Sequence, residues 1–474
     1  MLSAWSDPIV AMATAPGRGA VGIVRISGQG LQAWMAHIVG QALSPRVATL
    51  LTVFDQHHEP IDQVIALWFP APHSYTGEDV LELQGHGGMV VMQMLIKRCL
   101  ESAQTFGPDV HVRRMRLARP GEFTERAYLN HKIDLTQAEA VADLIDASSE
   151  AAVRSASRSM GGAFSKEVHA LLKGLTQLRS LVESTLDFPE EEIDFLQQAD
   201  AQGQIQNLLL QCHALHERSR QGALLRDGLR LVIAGQPNVG KSALLNALSG
   251  QDTAIVTDIP GTTRDALTQT IHADGVPIHV VDTAGLRDGQ QEAIDTVEKI
   301  GIDRAWQHID QADAVLFLHD LSRRDVSAYT ERDAQIQNHI SQRLGAHQVC
   351  LQVWNKMDLL PRNTTPPEGK DEIWISAQTG AGLAQLKQAL LATVGRQSAS
   401  DVGEYSARGR HLQALQTVQQ HLARSQQGLH SQRLALEVVA EELRLAQQAL
   451  ASITGEFTAD DLLGEIFSRF CIGK

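Results

Sequence analysis

The 474-residue chain is short of aromatic residues, at 4%, and short of positive charge, with 41 Lys and Arg against 55 Asp and Glu for a net charge of -14. So few aromatics exclude an extended base-stacking platform. The acidic balance excludes bulk electrostatic binding of nucleic acid, so any RNA contact has to come from a local patch. Cysteines are scarce as well: Cys99, Cys212, Cys350 and Cys471 lie more than a hundred residues apart. None forms a C-x-x-C pair, so neither a disulfide framework nor a paired-thiol metal site is expected, and a reducing cytoplasm is the expected compartment. Long apolar runs are missing, the longest, such as residues 89–96, falling far below the ~20 residues that cross a bilayer. Residues 1–16 hold an acid and an early proline in place of a basic segment leading into an apolar core, and do not read as a secretory signal. The 19 histidines, including His57, His58 and His86, show no metal-ligand spacing.

What remains is ordinary globular composition, 43% hydrophobic and 20% charged. At roughly 150 residues per domain the length predicts about three domains. Residues 1–130 mix β-branched runs at 21–26, 64–69 and 80–83 with Gly/Pro punctuation and one helical stretch near 92–101, which predicts an α+β domain. Residues 131–222 turn Ala-, Leu-, Gln- and Glu-rich with helical spacing at Leu171, Leu172, Leu175, Leu178 and Val182, an all-α region interrupted near Asp187-Phe188-Pro189. From 223 to 395 strand and helix candidates alternate, with strands at 231–234, 278–281, 315–318, 349–354 and 373–375 and a tight hairpin turn at Asp274-Gly275, so an α/β domain with a parallel sheet is expected. Helical spacing returns over 396–474 (Leu434, Leu436, Val439, Leu443, Leu450), which makes the α/β domain an insertion in a helical one.

The chemistry starts at Gly235-Gln236-Pro237-Asn238-Val239-Gly240-Lys241-Ser242, a G-x-x-x-x-G-K-[ST] loop between an apolar strand and a helical run that begins at Ala243. Glycines let backbone N–H groups close around phosphates at a helix N-terminus, Lys241 adds a point charge for the β and γ phosphates, and the Ser242 hydroxyl suits Mg²⁺. Asp282-Thr283-Ala284-Gly285 ends a strand, where the Asp reaches Mg²⁺ through water and a Gly N–H meets the γ-phosphate. Asn355-Lys356-Met357-Asp358 ends another, and a carboxylate there accepts both N1–H and N2–H of guanine, a donor pair that adenine lacks. Ser376, Ala377 and Gln378 close the base pocket, and together these motifs predict a Ras-like P-loop GTPase domain. Thr262 or Thr263 supplies the switch threonine, within a segment Thr257, Asp258, Ile259, Pro260 and Gly261 counted with the nucleotide contacts. Leu286 stands where small GTPases place the water-orienting glutamine, so the catalytic device lies elsewhere. Arg264 and Arg287 read equally as arginine fingers and as surface residues. Asn238 offers a carbonyl oxygen for a monovalent cation in place of such a finger, or is simply a turn-forming Asn.

Further motifs carry a resemblance over essentially the whole chain: Pro16-Gly17-Arg18-Gly19, Val24-Arg25-Ile26-Ser27-Gly28, residues 76–83 beginning Thr76-Gly77-Glu78-Asp79, Gly85-His86-Gly87-Gly88, Arg119-Pro120-Gly121-Glu122-Phe123 and the terminal Cys471-Ile472-Gly473-Lys474. With the GTPase motifs, they make the chain resemble the bacterial MnmE (TrmE) family of tRNA-modifying GTPases. The resemblance implies a homodimer, working as a heterotetramer with two copies of an FAD-dependent partner, MnmG, that builds aminomethyl or carboxymethylaminomethyl groups on C5 of the wobble uridine of certain tRNAs. The carbon comes from 5-formyl- or 5,10-methylene-tetrahydrofolate, and the N-terminal domain is then similar to folate-binding aminomethyltransferases. Carried over by motif, Arg25, Glu82, Lys132 and Lys474 line the folate pocket, Asn238, Thr257, Ile259 and Thr262 hold K⁺, and Ser242 and Thr263 hold Mg²⁺. Glu298 corresponds to the family's catalytic glutamate, orienting or activating water, with Glu292 as competitor and an exposed helix glutamate as the plain reading.

Cys471 superficially fits a prenylation box, but Gly473 is not aliphatic, Lys474 is an unusual last residue and no polybasic run precedes it. By the resemblance its thiol serves the modification as nucleophile or acid/base group, a structural cysteine being the alternative. Arg113, Arg114, Arg116, Arg119 and Arg126 form the best local basic patch, for tRNA phosphate or a folate tail, or else as solvated surface, and His86 between glycines is expected near the folate. A second functional reading stays open: a GTP-switched RNA or ribosome assembly factor that modifies no base.

Overall fold

The computed structural model describes residues 6–107, 110–187, 199–250, 268–273, 276–282, 306–345, 348–361, 364, 372–393, 405–430, 436–456, 460–468, 470–471 and 473. The chain forms two compact units, one of Met1–Ala142, Met160–Leu196 and Ser431–Lys474, the other of Asp143–Ser159 and Gln197–His430.

In the first unit six strands, β1 (Ile9–Met12), β2 (Gly19–Gly28), β3 (Thr49–Phe54), β4 (Pro60–Phe69), β5 (Asp79–Gly87) and β6 (Arg116–Leu117), assemble in the order β3-β4-β5-β2-β1-β6. All neighbours are antiparallel except β1 and β6. The period of two along β2 and β5 places Val24 opposite Leu83, Arg25 opposite Glu82 and Ile26 opposite Leu81. Val24, Ile26, Leu81 and Leu83 therefore go into the core with Trp34, Met92 and Leu95, while Arg25 and Glu82 share the other face. The helix Met89–Thr105 covers the core side through Met92, Leu95 and Cys99, and burial pushes the Cys99 thiol up to about 12, which marks it as an inert core group. The helix Ala163–Asp187 packs on Leu436–Thr454, where Arg179 Nη1 donates to Gln447 Oε1 at 2.9 Å.

The second unit is built on β7 (Leu229–Ala234), β8 (Thr268–Ala273), β9 (Val276–Asp282), β10 (Ala314–Asp320), β11 (Val349–Asn355) and β12 (Ile373–Trp374), in the order β12-β11-β10-β7-β9-β8. The five strands from β12 to β9 are parallel, as the alternating pattern predicts. β8 departs from it: it pairs antiparallel with β9, Ala273 opposite Val276, and Asp274 and Gly275 between them lie outside the described residues. Every residue of β10 is buried, as in a central strand covered on both faces. The helix Ala201–Asp227, which leads into β7, packs on Gly409–His430, so helical segments from before and after the sheet meet in this unit.

Candidate functional site

β7 ends at Ala234 and the chain turns through Gly235–Gly240 into the helix Lys241–Ser249. That turn needs its glycines. Gly235 (φ 146°) and Gly240 (φ 99°) occupy backbone conformations that side chains avoid, and a Cβ on Gly240 would run into Asn355 Nδ2. Asn355, at the end of β11, instead donates from Nδ2 to Val239 O at 2.9 Å and accepts from Ala377 N at 3.0 Å. One buried amide thus ties the phosphate loop to the base-pocket loop. Asp358 is held by Ser376, whose Oγ donates to Oδ1 at 2.5 Å, leaving the second carboxylate oxygen free to share a donor pair with the first. Lys356 reaches across to Asp320 on β10 at 2.7 Å. Burial works to raise the Asp320 carboxyl, and hydrogen bonds from Lys356 and Ser322 outweigh it and hold the group below the ordinary carboxylate range.

The loop also fits the groups it is predicted to take. Lys241 Nζ donates to Gly235 O and Gln236 O at 2.8 and 3.1 Å, which centres its charge on the loop. The first turn of the helix carries no acid and its N-terminus has no side-chain cap, so its N–H groups suit phosphate oxygens. Ser242 and Ala243 reach the surface there, and Asn238 is exposed on a left-handed turn (φ 64°). Asp282 closes β9 in register with Ile233. Thr257, Asp258, Ile259, Pro260, Gly261, Thr262, Thr263, Thr283, Ala284, Gly285, Arg264, Leu286, Arg287, Glu292 and Glu298 lie outside the described residues.

A second cluster forms on the free face of the β2–β5 pair. Arg25 Nε donates to Glu82 Oε1 at 2.9 Å, and the guanidinium lies over the rings of Tyr75 (5.8 Å) and Phe123 (5.7 Å). Tyr75 OH and Thr124 Oγ1 are 2.8 Å apart. The chain's C-terminal segment joins this cluster: Gly473 O accepts from Arg25 Nη1 at 3.5 Å and Cys471 O from Gly121 N at 3.3 Å, while Phe470 is buried and Cys471 exposed. Gly121 (φ 69°) has Phe467 O where a Cβ would stand, so the close approach of the two segments depends on glycine there. Lys132 Nζ donates to Pro72 O at 3.0 Å, on the same loop that carries Tyr75. Lys474 lies outside the described residues.

Residues 8–132 match the family model described as GTP-binding protein TrmE N-terminus, and residues 135–471 match the MnmE helical domain. The tRNA modification GTPase MnmE of Acidovorax sp. (strain JS42) is 59% identical over the full length of both chains, and that of Polaromonas sp. (strain JS666 / ATCC BAA-500) 56% identical over the full length of both. This chain belongs to the MnmE family. Among solved structures it is similar to a variant of Aquifex aeolicus Era bound to GDP.AlF4- (23% identity, TM-score 0.27, 41% of this chain and 66% of that one) and to the G domain of T. maritima FeoB (22% identity, TM-score 0.24, 35% and 98%).

Membership of the MnmE family makes the chain an enzyme, a tRNA modification GTPase that binds GTP. Among the described residues no helix is long and apolar enough to cross a membrane, and no group of three His, Cys, Asp or Glu is placed to hold a metal.

Two sequence expectations are sharpened by the geometry. The arginine patch is divided: Arg113, Arg114 and Arg119 are exposed, as the solvated-surface reading expects, whereas Arg126 is buried and Arg116 half-buried. Arg126, 2% exposed, is bound by Glu78 and Glu122; Arg116 is bound by Glu122, and Arg119 by Glu122 and Glu125. Glu122 and Glu125 lie within the same stretch of sequence as the arginines they bind, and only Glu78 reaches Arg126 from a distant part of the chain. His86 lies four residues along β5 from Glu82, with its ring 76% exposed and its Nδ1 2.8 Å from Asp62 Oδ1. Tyr75, Phe123 and Thr124 were missed as site residues. Their signal was present, since Tyr75 and Phe123 are two of the chain's few aromatics, Tyr75 directly before one quoted motif and Phe123 closing another.

The same network predicts a pH effect. Burial, reinforced by the neighbouring Glu122 charge, pushes the Glu125 carboxyl up to about 7 despite Arg119 and Arg126, from an ordinary value of 4.5. Below pH 4.5 the group is protonated folded or unfolded and has no effect. Between 4.5 and 7 the unfolded chain ionises while the folded one keeps its proton, so stability falls as pH rises. Glu125→Gln removes that loss: urea unfolding should show the variant about 3 kcal/mol more stable than the parent at pH 8, with a much smaller difference at pH 5.

Proposed function

We propose that this chain is a K⁺-stimulated GTPase that acts with the FAD-dependent partner MnmG to install aminomethyl or carboxymethylaminomethyl groups at C5 of the wobble uridine of certain tRNAs, using a tetrahydrofolate one-carbon unit. The observation that carries the reading is the convergence of the C-terminal segment, through Gly473 and Cys471, on Arg25 and Gly121 beside Glu82, Tyr75 and Phe123. A GTP-switched assembly factor has no use for such a pocket. Its residues fit a folate: two aromatic rings suit a flat heterocycle, and Glu82 Oε2, which among the described residues accepts from Gln84 Nε2 at 3.4 Å, retains acceptor capacity for ring donors. Arg25, Glu82, Lys132 and Lys474 would hold the folate, which when bound supplies the carbon, and Cys471 acts at the same pocket as nucleophile or acid/base group.

On the GTPase side, residues 238–243, 257–263 and 282–285 with 355–358 and 376–378 hold the nucleotide. Ser242 and Thr263 take Mg²⁺, and Asn238 with Thr257, Ile259 and Thr262 takes K⁺; the exposed, left-handed Asn238 supports this. Glu298 orients the attacking water. Residues 1–130 form the folate-binding and dimerisation domain and 223–395 the GTPase domain, inserted between helical parts 131–222 and 396–474. The protein works in the cytoplasm as a homodimer, in a heterotetramer with two copies of MnmG.

The test is mass spectrometry of wobble nucleosides in tRNA from cells lacking this protein, complemented by the parent or by Cys471→Ser. Loss of the C5-aminomethyl family, restored by the parent alone while Cys471→Ser keeps its GTPase rate, is the expected result. An unchanged nucleoside profile transfers the weight to the assembly-factor reading. Retention of the modification in Cys471→Ser makes that cysteine structural, and equal hydrolysis in Na⁺ and K⁺ removes the cation site.

A further inference from the structure

β10 runs Ala-Val-Leu-Phe-Leu through the centre of the sheet and then places His319, 5% exposed, where an apolar residue would pack without cost. A buried imidazole is tolerated only when its nitrogens are matched, and here both are: Nδ1 lies 2.5 Å from Asp333 Oδ2 and Nε2 lies 2.7 Å from Gln352 Oε1. Asp333, 5% exposed on the helix Ser327–Arg343, spends its other oxygen on Gln236, whose Nε2 donates to Oδ1 at 2.7 Å and to Tyr329 O at 2.9 Å. Gln236 is the second residue of the phosphate loop, and its carbonyl accepts from Lys241. The other side of His319 stacks on Trp354 (4.3 Å, 18°), the residue before Asn355, and next to this run Tyr329 OH accepts from Asp320 N at 2.8 Å.

We propose that His319 and Asp333 are positioning residues of the GTPase site: their hydrogen-bonded relay holds the Gln236 side chain and so sets the backbone of the phosphate loop from behind the sheet. A histidine that merely satisfied itself in the core would need one partner for each ring nitrogen, from any quarter. This one is bonded to a carboxylate whose remaining oxygen is committed to the loop, and it is stacked on the strand end that delivers Asn355 to Val239. The loop is therefore held at its Gln236 end by His319 and Asp333, which belong to none of the nucleotide motifs, and at its Val239 end by Asn355.

The relay is read by the release rate of fluorescently labelled GDP from the full chain at 25 °C. Asp333→Ala and Gln236→Ala should each speed release about tenfold, Asp333→Asn should restore most of the parent rate because it keeps an oxygen for Gln236, and the Asp333→Ala/Gln236→Ala double variant should be no faster than either single one. His319→Leu should fall between parent and Asp333→Ala. Release at the parent rate in Gln236→Ala, or independent effects that multiply to about a hundredfold in the double variant, overturns the proposal. Lowered thermal stability with unchanged release in every variant overturns it too, since that is the signature of a purely structural core pair. Gln236→Ala removes only an amide from a loop, and it carries the test should Asp333→Ala fail to fold.

Discussion

Asp358→Asn should weaken GDP binding by roughly 10²- to 10⁴-fold and make xanthosine diphosphate the preferred nucleotide. The carboxylate, oriented by the 2.5 Å hydrogen bond from Ser376, presents two acceptors to the N1–H and N2–H of guanine. Each is a hydrogen bond to a charged group, worth about 1.5–3 kcal/mol. Asn keeps one acceptor and turns a donor toward the 2-amino group, so one bond becomes a clash of donors. Xanthine carries an oxygen at that position, and the variant's amide then pairs with it completely. Calorimetric titration of both diphosphates against parent and variant decides the matter. Unchanged GDP affinity in Asp358→Asn would mean that the base is read elsewhere, and Asn355, which spends one N–H on Val239 O and one lone pair on Ala377 N, keeps a second donor for the purpose.

Arg126→Ala should cost the first unit about 3–5 kcal/mol, the loss expected when one member of a buried ion cluster is removed. Arg126 Nη1 donates to both oxygens of Glu78 (3.2 and 2.9 Å), and Nη2 donates to Glu122 Oε1 (3.0 Å) and Asp7 O (2.7 Å). Glu78 and Glu122 are 5% and 0% exposed, so neither can recover water when the guanidinium goes. Hydrogen exchange of the β2 and β5 amides in the full chain reads this unit by itself, and roughly 10²- to 10³-fold faster exchange is expected. Glu122 also titrates in this network: burial works to raise it, but bonds from Arg116, Arg119 N and Arg126 bring it down to about 2. Its contribution is present above pH 4.5 and is lost as pH falls toward 2. Adding Glu78→Gln and Glu122→Gln to an Arg126→Met background should recover much of the loss, because no unpaired charge is then left buried. Exchange unchanged in Arg126→Ala would show that water reaches the cluster.

Much of the nucleotide site was legible in the sequence because its determinants are local. A glycine-punctuated loop between a strand and a helix has its geometry written in eight consecutive residues, and the strands read at 231–234, 278–281, 315–318 and 349–354 all fall within β7, β9, β10 and β11. A strand's tip delivers its last residues to the carboxyl edge of a parallel sheet whatever lies between the strands, so order alone put Asn355 at the end of a strand, where β11 ends, with Asp358 just beyond it. The antiparallel pairing of β8 with β9 was legible at its turn, since Asp274-Gly275 reads as a hairpin, while the extent of β8 itself was not read.

Charged and polar groups behaved differently. An arginine says nothing of its acid, and Glu78 lies 48 residues from Arg126. Gly473 lies 448 residues from Arg25, and His319, Asp333 and Gln236 come from three separate elements. The sequence by itself determined that the chain carries a P-loop GTPase and belongs with MnmE, because motif spacing and secondary-structure period are properties of neighbouring residues along the chain. Only the tertiary structure decided that Glu78 meets Arg126, that His86 faces solvent beside Asp62, and that Gly473 meets Arg25. The strength and meaning of a charge or a hydrogen-bonding group depend on what burial and topology bring within a few ångströms of it, and that distance is not encoded in order alone.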